Sequence, residues 1–233
     1  MRRLMILLAA ALALGGCNMV MAETPILTAA DAEGAPSLRP GVWITRDPEC
    51  RFNPRKRVKD WPECASPLLV GSDSLTNPMK QEEAAPYVLA AGEPRILQLE
   101  LRPEPDAPRL YLFAGLQPLK FDRQGRIVEA RTWAVQCGPP PPPKADAPAA
   151  DPPADAAAAD APPPSDAQAR AEMEKMVSDA LASGLTREPL PGMTVKDGMC
   201  VVRTVEPLRH AARESLAWDT ESHTIIAWVR ERP

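Results

Sequence analysis

Residues 138–165 consist almost entirely of proline, alanine and aspartate, starting with the run Pro139-Pro140-Pro141-Pro142-Pro143. Such a segment has no apolar side chain large enough to offset the entropy of ordering its backbone. It is therefore expected to be disordered, with stretches of polyproline II. Much of the chain's excess of proline lies here, 29 residues in all against a usual share of about 5 %. Whatever folds must be assembled from the block before this segment and the block after it.

The first block reads mostly as strands. Gly41-Val42-Trp43-Ile44-Thr45 and Pro67-Leu68-Leu69-Val70 are short β-rich runs, the second ending at Gly71. Ile96-Leu97-Gln98-Leu99-Glu100-Leu101 alternates, placing Leu97, Leu99 and Leu101 on one face and Gln98 and Glu100 on the other. Leu110-Tyr111-Leu112-Phe113 opens a further run, and Pro118 within it points to an edge or a bulge. Asp122-Arg123-Gln124-Gly125 is a turn signal before another strand over 127–137, so a hairpin is predicted.

After the insertion the pattern changes. Ser165-Asp166-Ala167-Gln168 resembles a capping box opening a helix over 165–183, with Gly184 as its stop. Met173, Met176, Val177, Ala180 and Leu181 share one stripe of it, which reads as core packing more readily than as a Cu(I) or partner site. A strand is predicted at Met199-Cys200-Val201-Val202-Arg203. A second helix runs over 207–218 with Leu208, Ala211, Ala212 and Ser215 on one side, and Thr224-Ile225-Ile226-Ala227-Trp228-Val229 is a closing strand.

The N-terminus carries Arg2 and Arg3, an apolar run from Leu4 to Leu14, and then Gly15-Gly16-Cys17. The run is too short to span a bilayer, which takes about 20 apolar residues, and has the length of a secretory h-region. Leu14-Gly15-Gly16-Cys17 resembles the lipobox of bacterial lipoproteins. Val20-Met21-Ala22 offers a looser site for ordinary signal cleavage. The lipobox resemblance implies removal of residues 1–16 and lipidation of Cys17 with three acyl chains. At about 0.8 kcal/mol per buried methylene, three chains anchor a protein stably where one does not. Asn18, in place of the Asp that retains such proteins in the inner membrane, implies the outer membrane, facing the periplasm.

Setting Cys17 aside leaves Cys50, Cys64, Cys137 and Cys200, an even set in an exported chain. Such a set reads as two disulfides with three connectivities open. Proximity favours Cys50–Cys64, leaving Cys137–Cys200; the shorter loop would contribute about 3 kcal/mol and the longer somewhat above ~4. On that pairing the proline-rich segment is a stapled loop. The tether is expected at 17–38 instead, since a spacer belongs between lipid and domain.

Candidate chemistry is sparse. His210 lies beside Arg209 and Arg213 on the polar side of the second helix, and no Gly-x-Ser-x-Gly motif supports a pair with Ser215. His223 reads as a turn residue. Glu82 and Glu83 are adjacent and would point apart on either regular element. No CxxC, HExxH, phosphate-loop or calcium-loop pattern occurs, so no metal and no cofactor is expected. The distinctive polar feature is Arg51, Arg55, Lys56, Arg57 and Lys59, five basic residues in nine with no acid, an anion-binding patch candidate on the loop between Cys50 and Cys64. Removal of Arg2 and Arg3 takes the formal charge from −4 to −6, which argues against nucleic acid as a partner.

The expectation is thus an α+β domain over 39–233, mainly antiparallel sheet with two helices in its C-terminal half and interrupted by 138–165. Trp43, Leu97, Leu99, Leu101, Leu112, Val201, Ile226 and Trp228 are its core candidates. The expected role is that of a lipid-anchored, non-catalytic interaction or structural protein of the envelope, with a periplasmic ligand-binding or hydrolase-inhibitor module as the alternative. The expected partners are the membrane, through the anchor, and an envelope protein or anionic lipid.

Overall fold

The computed structural model describes residues 18–79, 84–102, 108–139, 188–196, 199–218 and 223–232. Their strands are β1 (Val20–Ala22), β2 (Gly41–Thr45), β3 (Leu68–Val70), β4 (Ser74–Thr76), β5 (Ala85–Ala90), β6 (Arg95–Leu101), β7 (Leu110–Phe121), β8 (Ile127–Ala134), β9 (Met193–Lys196), β10 (Met199–Val202) and β11 (Thr224–Arg230). The α-helix α1 is Val205–Trp218.

Strands β2 to β8 form an antiparallel meander in which each pairs with the next. Strand β11 enters between β8 and β2 and closes the circle, giving an eight-stranded antiparallel barrel. The 12-residue β7 is longer than its neighbours need. Its N-terminal part pairs with β6 on one side and with β1 on the other, and β1 continues through β10 to β9 as a three-stranded flap.

This overturns the expectation of an α+β domain with two C-terminal-half helices. Among the described residues the fold is a closed β-barrel with three additional strands and one helix. The helix expected over 165–183 lies outside the described residues. Alternation in a sequence reports strands but not closure, which here rests on pairing between β11 and β2, far apart in the chain. The stretch 17–38, expected to be a tether, also differs from its reading. From Met19 onward it is part of the domain, because β1 pairs with β7 and β10 while Val20, Leu27 and Leu38 are buried.

Trp43, Val70, Leu75, Leu89, Leu116, Ile127 and Ala130 form the buried barrel interior. An eight-stranded barrel is just wide enough for side chains to fill it or to hold one small ligand. Of the expected core residues only Trp43 is fully buried; Leu97, Leu99, Leu101, Leu112, Val201, Ile226 and Trp228 are half-buried. In β6 the polar Gln98 is more deeply buried than the leucines on the other face. Gln98 is 3 % exposed, and its Oε1 accepts hydrogen bonds from the Ile26 and Leu27 N–H groups at 2.8 Å each, while Nε2 donates to the Leu27 carbonyl at 3.1 Å. A covering segment some 70 residues upstream thus makes the polar face of β6 an interior surface.

That outer layer is a second core. Leu27, Ala90, Ile96, Phe113, Val135 and Val202 pack with Leu208, Ala211 and Ala212 of α1, beside the Cys137–Cys200 disulfide. Trp133 carries α1 on the barrel wall, its Nε1 donating to the Ala212 carbonyl at 2.9 Å. Its ring lies across Gly115, directly opposite on β7, where any Cβ would overlap the indole.

Two substitutions test these supports. Gln98→Leu should leave two buried N–H groups unpaired and cost about 2 kcal/mol. Gly115→Val should displace Trp133 and cost about 1–3 kcal/mol. Both should appear in urea titrations as a lower midpoint with an unchanged slope.

Candidate functional site

Successive barrel strands alternate in direction, so the turns 71–73, 91–94 and 122–126 share one end. The connections 46–67, 77–84 and 102–109, the end of β8 and the start of β11 share the other. The two ends differ in chemistry.

The turn end is plugged and polar. Leu38, Trp43 and Ile127 are buried there, and the indole N–H groups of Trp43 and Trp228 donate to the carbonyls of Arg39 and Pro40 at 2.8 and 3.0 Å. The Arg39 guanidinium stacks 3.7 Å over the Trp228 ring and reaches Glu231 at 3.2 Å and Asp122 at 3.9 Å. Asp122 is bonded to Arg126 at 2.7 Å and accepts from the backbone N–H groups of Gln124 and Arg126. Desolvation pushes the Asp122 carboxyl up, but these hydrogen bonds and the Arg126 charge outweigh it and hold it below the usual aspartate value.

The opposite end is an apolar mouth. A recess of about 360 Å³ is lined by Leu97 and Leu99 of β6, Leu112, Phe113 and Ala114 of β7, Thr132, Trp133 and Ala134 of β8, Thr224 of β11, and Met19 just before β1. The register explains this lining. Leu97 opposes Ala114, Leu99 opposes Leu112, Ala114 opposes Ala134 and Thr132 opposes Thr224, so the leucines of β6 and β7 face the small side chains of Ala114, Thr132, Ala134 and Thr224 and leave space above them. This is why Leu97, Leu99 and Leu112 are half-buried although they lie on the inner face. Met19 is fixed at the rim by its bridge to Gln136 and by the Val20 N–H bond to the Val135 carbonyl at 2.8 Å.

A second recess, of about 500 Å³, lies on the outer wall between Gln117, Arg131, Leu216, His223 and Ile225. Arg131 donates to Gln117 at 3.4 Å, and the His223 ring sits 5.9 Å from that of Trp133. No Ser, Cys, Asp or Glu joins His223 and Arg131 in lining this groove. Ser215 forms no pair with His210: its hydroxyl donates to the Ala211 carbonyl at 2.7 Å and accepts from the Gln136 N–H at 2.8 Å. Among the described residues no three His, Cys, Asp or Glu side chains gather as a metal site.

Two disulfides are present, Cys50–Cys64 and Cys137–Cys200. The basic loop folds down the outer wall of β2 and β3, where Val58, Trp61 and Ala65 are buried against Val42 and Leu69. Phe52 packs on Trp61 at 4.8 Å, and Arg230 donates to the Pro54 carbonyl at 2.7 Å. Arg51, Arg55, Lys56, Arg57 and Lys59 are exposed on this frame, and Arg57 is paired with Asp60 at 3.0 Å. Cys17 lies outside the described residues, as do Glu82 and Glu83. The sequence reading missed the mouth because its lining comes from four strands, and only β6 shows a continuous aliphatic alternation.

No known protein family, curated protein or solved structure matches this chain.

A depressed native pKa means that Asp122 stabilises the fold above the unfolded value of 3.8, and that this contribution is lost as pH falls through the native value. Asp122→Asn should therefore lower the urea midpoint at pH 7, and the gap from wild type should narrow as the pH is taken below 3.8.

Proposed function

We propose that this chain is a lipid-anchored protein of the cell envelope that works by binding, with the barrel mouth as its site for an apolar group. The single observation that carries this reading is the recess at the mouth: an aliphatic lining, rigid strands behind it, and no covering element among the described residues. Sites of this kind take ligands by apolar burial, with a few polar groups fixing orientation. Thr132 and Thr224 supply the hydroxyls at the mouth. The lipobox-like Leu14-Gly15-Gly16-Cys17 supports the anchor, and Asn18 supports the outer membrane.

Apolar binding is tested with the Cys17→Ser chain and a dansyl-labelled fatty acid. The probe should bind with one-to-one stoichiometry and a blue-shifted emission. Leu99→Glu, which places a charge in the lining, should weaken binding at least about tenfold. A probe that stays unbound by the wild-type mouth refutes the reading.

A second reading rests on the basic loop, whose backbone is held by the Cys50–Cys64 disulfide, Trp61 and Arg230, so that it loses little entropy on docking. It fits an anionic envelope partner. Reversal of Arg55, Lys56 and Arg57 to glutamate should abolish salt-sensitive binding to lipopolysaccharide, while fatty-acid binding at the mouth persists.

A further inference from the structure

We propose that the barrel mouth opens directly onto the bilayer that holds the anchor, and that its occupant is a phospholipid acyl chain from that bilayer. The inference rests on the lipid-anchor and apolar-mouth readings above. It follows from the place of Met19. Met19 lines the recess and is held there by the Gln136 bridge, while Val20, the next residue, is fully buried in β1. Only Asn18 separates Met19 from Cys17. Across two trans peptides the Cα of Cys17 can lie no more than about 7.6 Å from that of Met19. A lipid on Cys17 therefore enters the membrane beside the mouth, with no tether long enough to turn the barrel away.

The rest of the barrel agrees with this orientation. What distinguishes the far end is its interior, which Trp43 plugs: both rims carry ion pairs, Arg39, Asp122, Arg126 and Glu231 at the far end and Arg102, Arg109 and Glu100 at the mouth end, but only the mouth leaves an apolar opening. The mouth presents leucine side chains that only apolar contact can remove from water, and an acyl chain rising from the adjacent leaflet has the shape and chemistry to fill it.

The test uses the lipidated full chain in vesicles of phosphatidylethanolamine and phosphatidylglycerol doped with a phosphatidylcholine bearing a diazirine at its acyl tail. After irradiation, label should concentrate on peptides containing Met19, Leu97, Leu99, Leu112 and Thr132, and spare the turns 71–73 and 122–126. A flexible Gly/Ser insertion of about 20 residues between Cys17 and Asn18, reaching on the order of 25 Å, should cut mouth labelling several-fold without touching the fold. Label on the far turns or on the basic loop with a clean mouth overturns the proposal. So does a mouth shielded by label-bearing residues 165–184, or a Cys17 carrying no acyl mass. Fatty-acid binding by Cys17→Ser with an unlabelled mouth refutes the orientation alone. A labelled mouth in a chain that binds no free fatty acid refutes the soluble-ligand reading alone.

Discussion

The barrel depends on β11. Without Thr224–Arg230, the meander from β2 to β8 would be an open sheet with two exposed edges, a liability for edge-to-edge association. With it, Ile226 and Ala227 pair to Ala130 and Glu129 on one side and to Thr45 and Ile44 on the other, and both edges disappear. The strand must return from a long excursion after β8 to do this. The Cys137–Cys200 disulfide shortens that excursion, and Trp133 and α1 hold its last part on the wall of β7 and β8.

Closure also creates the asymmetry on which the functional reading rests. The side chains that point inward are divided along the barrel axis. Trp43, Leu116, Ile127 and Val70 fill the interior toward the tight turns, whereas Leu97, Leu99 and Leu112 stand above them among Ala114, Thr132 and Ala134. The small residues leave the recess. The polar rim lies at the other end because the Asp122–Arg126 turn and the Arg39 and Glu231 ion pairs gather there.

Local pattern made several elements legible. The stripe of Leu208, Ala211, Ala212 and Ser215 marked α1, and the Asp122–Gly125 signal marked the β7–β8 turn, where Asp122 Oδ1 accepts from Gln124 and Arg126 and Gly125 adopts φ +76°. The even set of four cysteines implied disulfides, and two are present. The alternation of β6 was equally legible but assigned the wrong depth to its faces. Gln98 is buried because Ile26 and Leu27 cover it, while Leu97 and Leu99 line an opening. Residues 18–38 looked unpatterned because their order comes from strands β7 and β10, not from periodicity of their own.

By itself the sequence determined seven of the strands, the stripe of α1, the disulfide parity and the lipobox-like start, all of which are written in spacings of a few residues. Only the tertiary structure decided that the sheet closes, that its interior is filled by Trp43 at one end and opens as an apolar recess at the other, and that Met19 stands at that recess. Those properties rest on contacts between segments from 13 to 188 residues apart. A local pattern can state which face of a strand is apolar, but not which other strand that face will meet.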